Sequence, residues 1–182
     1  MSKRSKKLPK KRQNSDYWIY GHHAVVGALM NKNRVKYEVY FTSEAEKKLK
    51  NEIKLENINI KSIKKTRDEI DLLLKGISNH QGICLRVEKI QTPQLSDFIK
   101  SLNEERSIIF LLDQLDDPQN VGAIFRSAAA FNIDGIILTN NNSVTENSFL
   151  AKAASSAIDK VPFTKIQNIS SCLLYTSDAA DE

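Results

Sequence analysis

Cysteine is nearly absent from this chain: Cys84 and Cys172 are the only two in 182 residues. That count supports neither a disulfide framework nor a cysteine-based metal site, and it suits a reducing, cytoplasmic compartment. The three histidines, His22, His23 and His80, lack metal-ligand spacing, so no metal is expected. A lone or paired histidine beside a helix start is ordinarily a hydrogen-bonded structural residue. Glycine and proline are sparse, at six and four, and neither a P-loop nor a G-x-G-x-x-G phosphate loop occurs. Aromatics make up 7% of the chain; the one tight group, Tyr17, Trp18 and Tyr20, reads as edge packing rather than a base-stacking platform. No apolar run is long enough to cross a bilayer, and no apolar signal segment follows the opening lysines.

What the chain does have is basic residues gathered at one end. Lys3, Arg4, Lys6, Lys7, Lys10, Lys11 and Arg12 stand against Asp16 alone in residues 1–16, whereas the whole chain carries a net charge of +5. The remainder is close to neutral, so the basicity belongs to the tail. Polar residues separate the charges and almost nothing apolar is present, so residues 1–16 are expected to stay disordered. Such an arm suits a phosphate backbone, with an affinity that falls with salt as counterions are released. A solubilising tail or a localisation signal is the competing reading.

Residues 17–90 read as a small α/β unit. A helix through Gly21 to Met30 would bury Val25, Ala28 and Leu29, and Val35, Tyr37, Val39 and Phe41 alternate as a strand should. Ala45, Leu49 and Ile53 share one helical face, Ile58 and Ile60 open another strand, and Thr66 with Glu69 forms a capping-box pattern. Gly76 stops that helix, and Ile83, Leu85 and Val87 form a last strand. Residues 91–106 read as a linker holding one short helix through Leu95, Phe98, Ile99 and Leu102, with relative motion of the flanking units as the default expectation.

Residues 107–171 predict strand, helix, strand, helix, strand at 107–115, 121–131, 135–139, 145–158 and 161–166: half of an open, parallel α/β sheet. The densest stretch is residues 111–132. Asp116-Asp117-Pro118 must end the strand, and Asn120 falls where a helix N-cap is expected, followed by Val121, Ile124, Phe125, Ala128 and Ala129 at helical spacing. Asn132 closes the helix where a left-handed residue is favoured. The helix start offers free N–H groups to an anion, and Arg126 leans back toward the space over Asn120 and Gly122, which the glycine is expected to leave open. The plainer alternative makes Asn120 a cap, Gly122 a packing gap and Arg126 a surface residue. Ser148, Lys152 and Ser155 read as a solvated helix face.

The string DDPQNVGAIFRSAAAFNIDGIIL resembles the first motif of the SpoU (TrmH-like) RNA ribose 2′-O-methyltransferases, D-P-x-N-x-G-x-x-x-R before a small-residue helix and a strand. Upstream, IYGHHAV and HQGICLRV resemble the signatures of that family's N-terminal RNA-binding domain. Asn132 stands where the family usually has glycine. The resemblance implies a ribosomal-protein-like RNA-binding fold followed by a methyltransferase domain, with Arg126 and Asn120 as catalytic residues. It further implies RNA as partner, large-subunit ribosomal RNA by nearest likeness, a homodimer, and S-adenosylmethionine as cofactor. Tail residues, His80 and Gln81 are then the candidates for RNA contact.

The family's second and third motifs, which form a C-terminal knot and the cofactor pocket, are not found here. Residues 172–182, CLLYTSDAADE, look like translated sequencing adaptor, so residue 171 is taken as the last native one and no cofactor-binding residue is assigned. The chain is therefore expected to be an inactive fragment of its parent. Because guanidinium holds its proton too tightly to act as a base, Arg126 is expected to hold the neighbouring phosphate and stabilise the developing alkoxide. A non-enzymatic RNA-binding module is the rival reading.

Overall fold

The computed structural model describes residues 16–54, 58–103, 106–140, 143–170 and 173. The basic tail candidates Lys3 through Arg12 and nearly all of the adaptor-like end lie outside them.

The first unit holds β1 (Asp16–Tyr20), α1 (His22–Met30), β2 (Lys36–Phe41), α2 (Ser43–Glu52), β3 (Lys61–Lys64), α3 (Arg67–Leu73) and β4 (Ile83–Glu88). Its sheet runs β1-β4-β2-β3, with β4 antiparallel to both neighbours and β3 parallel to β2. Helices cover both faces, which is why Ile83, Cys84, Leu85 and Val87 of β4 are all buried. Val25, Ala28, Ala45 and Leu49 cover one face with Ile19, Val39 and Val87, and Ile70 and Leu74 cover the other with Tyr20 and Cys84.

One expectation holds and one changes. The aromatic group Tyr17, Trp18 and Tyr20 packs the edge as expected: it forms the edge strand β1, with Trp18 stacked on Tyr40 at 5.4 Å. In β2 the alternation holds for Val39 and Phe41, while Val35 and Tyr37 are exposed because the register slips between Lys36 and Glu38. The capping box is complete: Thr66 Oγ1 accepts from the Glu69 N–H at 3.3 Å, and Glu69 Oε2 accepts from the Thr66 N–H at 2.8 Å.

The second unit contains α4 (Leu95–Lys100), β5 (Ile109–Leu112), α5 (Pro118–Ala130), β6 (Gly135–Thr139), α6 (Ser148–Ala154), a 3-10 turn at Ala157–Asp159 and β7 (Phe163–Ile166). Its sheet is parallel in the order β5-β6-β7, and all five residues of the central β6 are buried. α5, α6 and the 3-10 turn pack one face through Val121, Phe125, Leu150 and Ile158. Phe98 packs the other face with Ile137 and Ile166, so the helix expected in a linker is a layer of this unit. The second helix is shorter than its pattern suggested. Asn147 caps its start, accepting from Phe149 and Leu150 at 2.9 Å, and Ser155 ends it with φ 58°.

The units are packed together rather than loosely tethered. Ala151 of α6 joins the first unit's core, and a Cβ on Gly27 would lie 2.7 Å from the Ser156 Cα, so α1 meets the end of α6 at backbone distance.

Candidate active site

Pro118 fixes where α5 begins. Its missing N–H is harmless at the first helical position, and the preceding Asp117 carboxylate accepts from the Gln119 N–H at 3.0 Å. Asp117 is therefore the N-cap, and Asn120 is not: it sits in the first turn, exposed. Val121, Phe125 and Ala128 turn inward, and Asn132 adopts φ 52°, the left-handed conformation expected of it.

Arg126 lies eight residues beyond Pro118, about 12 Å along the helix axis. Its Nη1 donates to the carbonyl oxygen of Ala153, in the last turn of α6, and the residue as a whole is exposed. Carbonyls at a helix end lack partners within the helix and carry partial negative charge, so a guanidinium is well matched to that position. Gly122 lies one turn before Arg126 on the same stripe. A Cβ there would sit 2.5 Å from the Ala153 Cβ and 2.7 Å from the Ala154 nitrogen. The space over Gly122, expected to be left open, is thus filled by α6. The glycine serves close helix approach, which lets Arg126 reach Ala153.

His80 also departs from expectation. It is completely buried; Nδ1 accepts from the Gly82 N–H at 2.9 Å and Nε2 lies 2.9 Å from Asp71 Oδ1. With both ring nitrogens engaged and no surface exposed, it presents no atom to a partner in this structure and shapes the loop ahead of β4. Gln81 is exposed at φ 59°, and its Oε1 accepts from the His22 N–H at 2.8 Å at the start of α1. With Gly82, Arg67, Lys48 and Thr42 it lines a cavity of about 480 Å³.

One cluster escaped the sequence reading. Arg34, whose side chain is 0% exposed, binds Glu146, reaches Asp159 Oδ1 at 2.7 Å, and donates to the Tyr17 hydroxyl at 2.6 Å. Tyr17 donates to Glu146 Oε1 at 2.5 Å, Glu146 Oε2 accepts from the Ile90 N–H at 2.8 Å, and Asn31 donates to Asp159 Oδ1 at 3.0 Å. Burial pushes the Tyr17 hydroxyl and the Asp159 carboxyl up from their ordinary ranges, with the Arg34 charge opposing that for both. Arg34, Glu146 and Asp159 stand far apart in sequence, with no periodicity or motif joining them. Lys152, expected on a solvated face, is half-buried over the Tyr20 ring at 5.8 Å, and burial lowers its pKa.

A four-stranded α/β unit is docked on a parallel α/β unit that carries N-x-G-x-x-x-R on the first helix after its opening strand. The profile for RNA 2′-O ribose methyltransferase substrate binding matches residues 18–93, and that of the SpoU rRNA Methylase family matches residues 107–180. The chain belongs to the SpoU family. A TrmH family tRNA/rRNA methyltransferase of Staphylococcus aureus strain MSSA476 is 30% identical over 156 residues, 85% of this chain and 62% of the relative. The chain thus spans less than two thirds of that relative's length. Among solved structures, an AdoMet-bound rRNA methyltransferase from Sinorhizobium meliloti aligns with TM-score 0.68 at 18% identity, covering 90% of this chain and 58% of that one. The SpoU methyltransferase AviRb from Streptomyces viridochromogenes, in complex with AdoMet, aligns with TM-score 0.68 at 15% identity, covering 92% and 61%. These likenesses establish the fold.

Proposed function

We propose that these residues form the RNA-binding unit and the first half of the methylase unit of an S-adenosylmethionine-dependent RNA ribose 2′-O-methyltransferase. The observation that carries the proposal is the N-x-G-x-x-x-R stretch on α5, where Gly122 brings α6 close enough for Arg126 to bind its last turn. Arg126 presents an exposed guanidinium, which suits a phosphate beside the reacting ribose and an alkoxide developing from its 2′-hydroxyl. Asn120, exposed in the first turn of α5, offers an amide for RNA contact. The substrate class is ribosomal RNA by family likeness, with transfer RNA as the alternative, and the protein acts as a homodimer in the cytoplasm. Among the described residues no helix is long and apolar enough to cross a membrane.

The described residues do not fit the cofactor. A cavity of about 470 Å³ opens beyond the parallel strands, but Asp113, Gln114, Thr139, Gln167, Asn168 and Ser170 line it with Ile169 as the one apolar residue. That lining offers no apolar slot for an adenine ring, and Thr139 Oγ1 already accepts from the Gln114 N–H at 3.2 Å. S-adenosylmethionine is accordingly not expected to bind these 182 residues, which are expected to be inactive alone. No step of the reaction is derived through it.

The test is mass-spectrometric mapping of ribose 2′-O-methylation on ribosomal and transfer RNA, using protein of the relatives' length that carries these residues. A new 2′-O-methyl group is the expected product. RNA binding without any methylation would select the non-enzymatic module instead.

A further inference from the structure

We propose that Arg34 is a positioning residue for methyl transfer: through Glu146 and Asp159 it grips α6 from both ends and so couples the RNA-binding unit to Arg126. The proposal rests on the methyltransferase reading above, and its geometry is independent of that reading.

α6 is the element through which the two units meet. Toward the first unit it presents Ala151, buried in that unit's core, and Lys152, over the Tyr20 ring. Toward α5 it presents Ala153 and Ala154 against Gly122, and the Ala153 carbonyl against Arg126. Glu146 immediately precedes its cap Asn147, and Asp159 ends the 3-10 turn that follows it. One guanidinium on the α1–β2 connection, fully buried, therefore holds the chain on both sides of the helix that orients Arg126. Tyr17 and the Ile90 N–H extend the cluster to β1 and to the segment joining the units.

The direct contacts between the units at Ala151 and Gly27 involve residues with little or no side chain and carry no directional hydrogen bond. A planar guanidinium with fixed donor directions sets one registry. The cluster is not fully satisfied: Arg34 Nε and Asp159 Oδ2 are buried with no hydrogen-bond partner among the described residues. Buried ionic groups that specify one arrangement rather than add stability are a recognised use of such clusters. RNA engaged by the first unit is thereby presented to Arg126 in one orientation.

The test is NMR on the 182-residue chain, with residual dipolar couplings for both units and the Arg126 side-chain Nε–Hε resonance as readouts. Wild type is expected to fit a single alignment tensor. Arg34→Met is expected to require two tensors and to move the Arg126 resonance, while each unit keeps its own internal couplings; Arg34→Lys is expected to restore part of both. Should Arg34→Met fail to fold, Glu146→Gln and Asp159→Asn together provide the same readout with Arg34 kept. One shared tensor and an unmoved Arg126 resonance in the folded variants would overturn the proposal. No methyl transfer is required, so failure here leaves the enzymatic reading intact, and failure of that reading leaves this coupling intact.

Discussion

Arg126 and Ala153 join two helices: the arginine on α5 donates to the carbonyl at the end of α6, across the gap that Gly122 leaves small. The methylase motif thus has a packing role at its glycine and an electrostatic role at its arginine, and the two can be separated by mutation.

Gly122→Ala should destabilise the second unit. Its Cβ would fall 2.5 Å from the Ala153 Cβ and 2.7 Å from backbone atoms, so the helices must part. Overpacking of this kind costs about 1–3 kcal/mol, read as a lowered midpoint in urea denaturation. An unchanged midpoint would mean that α6 gives way freely.

His80→Ala should lower stability by about 1–3 kcal/mol, the cost of leaving a buried donor without its acceptor, because the Gly82 N–H loses Nδ1. Gln81→Ala should leave stability nearly unchanged and weaken RNA binding. A filter-binding assay paired with thermal denaturation separates the two residues; the opposite pattern would restore His80 as an RNA contact.

Cys84 should resist alkylation in the folded protein. It is fully buried, and burial, followed by the charge of Glu38, pushes its thiol up to about 12. A raised value means that the thiol's contribution to stability persists through neutral pH and is lost as pH rises through about 12. Peptide mapping after iodoacetamide at pH 8 should find Cys84 unmodified until denaturant is added.

Asp159 should give stability an acid-side slope. Burial raises its carboxyl despite Arg34, so the folded state holds that proton more tightly than the unfolded one. Its contribution is present below the ordinary aspartate value and declines as pH rises through the raised one. The stability difference between wild type and Asp159→Asn should therefore shrink with rising pH across that window, in denaturation curves at fixed salt. A difference that grows with pH would contradict the burial effect.

Local physics made most of the fold legible. The Thr66 capping box, the buried face of α2 and the β6 limits at Gly135–Thr139 follow from neighbours a few residues apart. Three features depended on tertiary contact. α4 looked like a linker because nothing local shows that Phe98 covers Gly135. α6 looked longer because the break at Ser155 comes where α1 and α5 crowd its end. The helix cap moved from Asn120 to Asp117 because an acceptor directly before proline reaches the first free N–H. Arg126 was identifiable by motif, but its partner was not, since Ala153 contributes only a backbone oxygen. The Arg34 cluster left no trace in sequence because its members meet only after both units have docked.

Arg126 is predicted to act on the reaction rather than on the fold. The most direct measurement is the turnover of Arg126→Ala in protein of the relatives' length, by incorporation of labelled methyl groups into RNA, with RNA affinity and unfolding midpoint measured on the same samples. Loss of about 100-fold or more in turnover, with RNA affinity within about twofold and the fold intact, is the predicted result. Undiminished methylation would remove Arg126 from the mechanism.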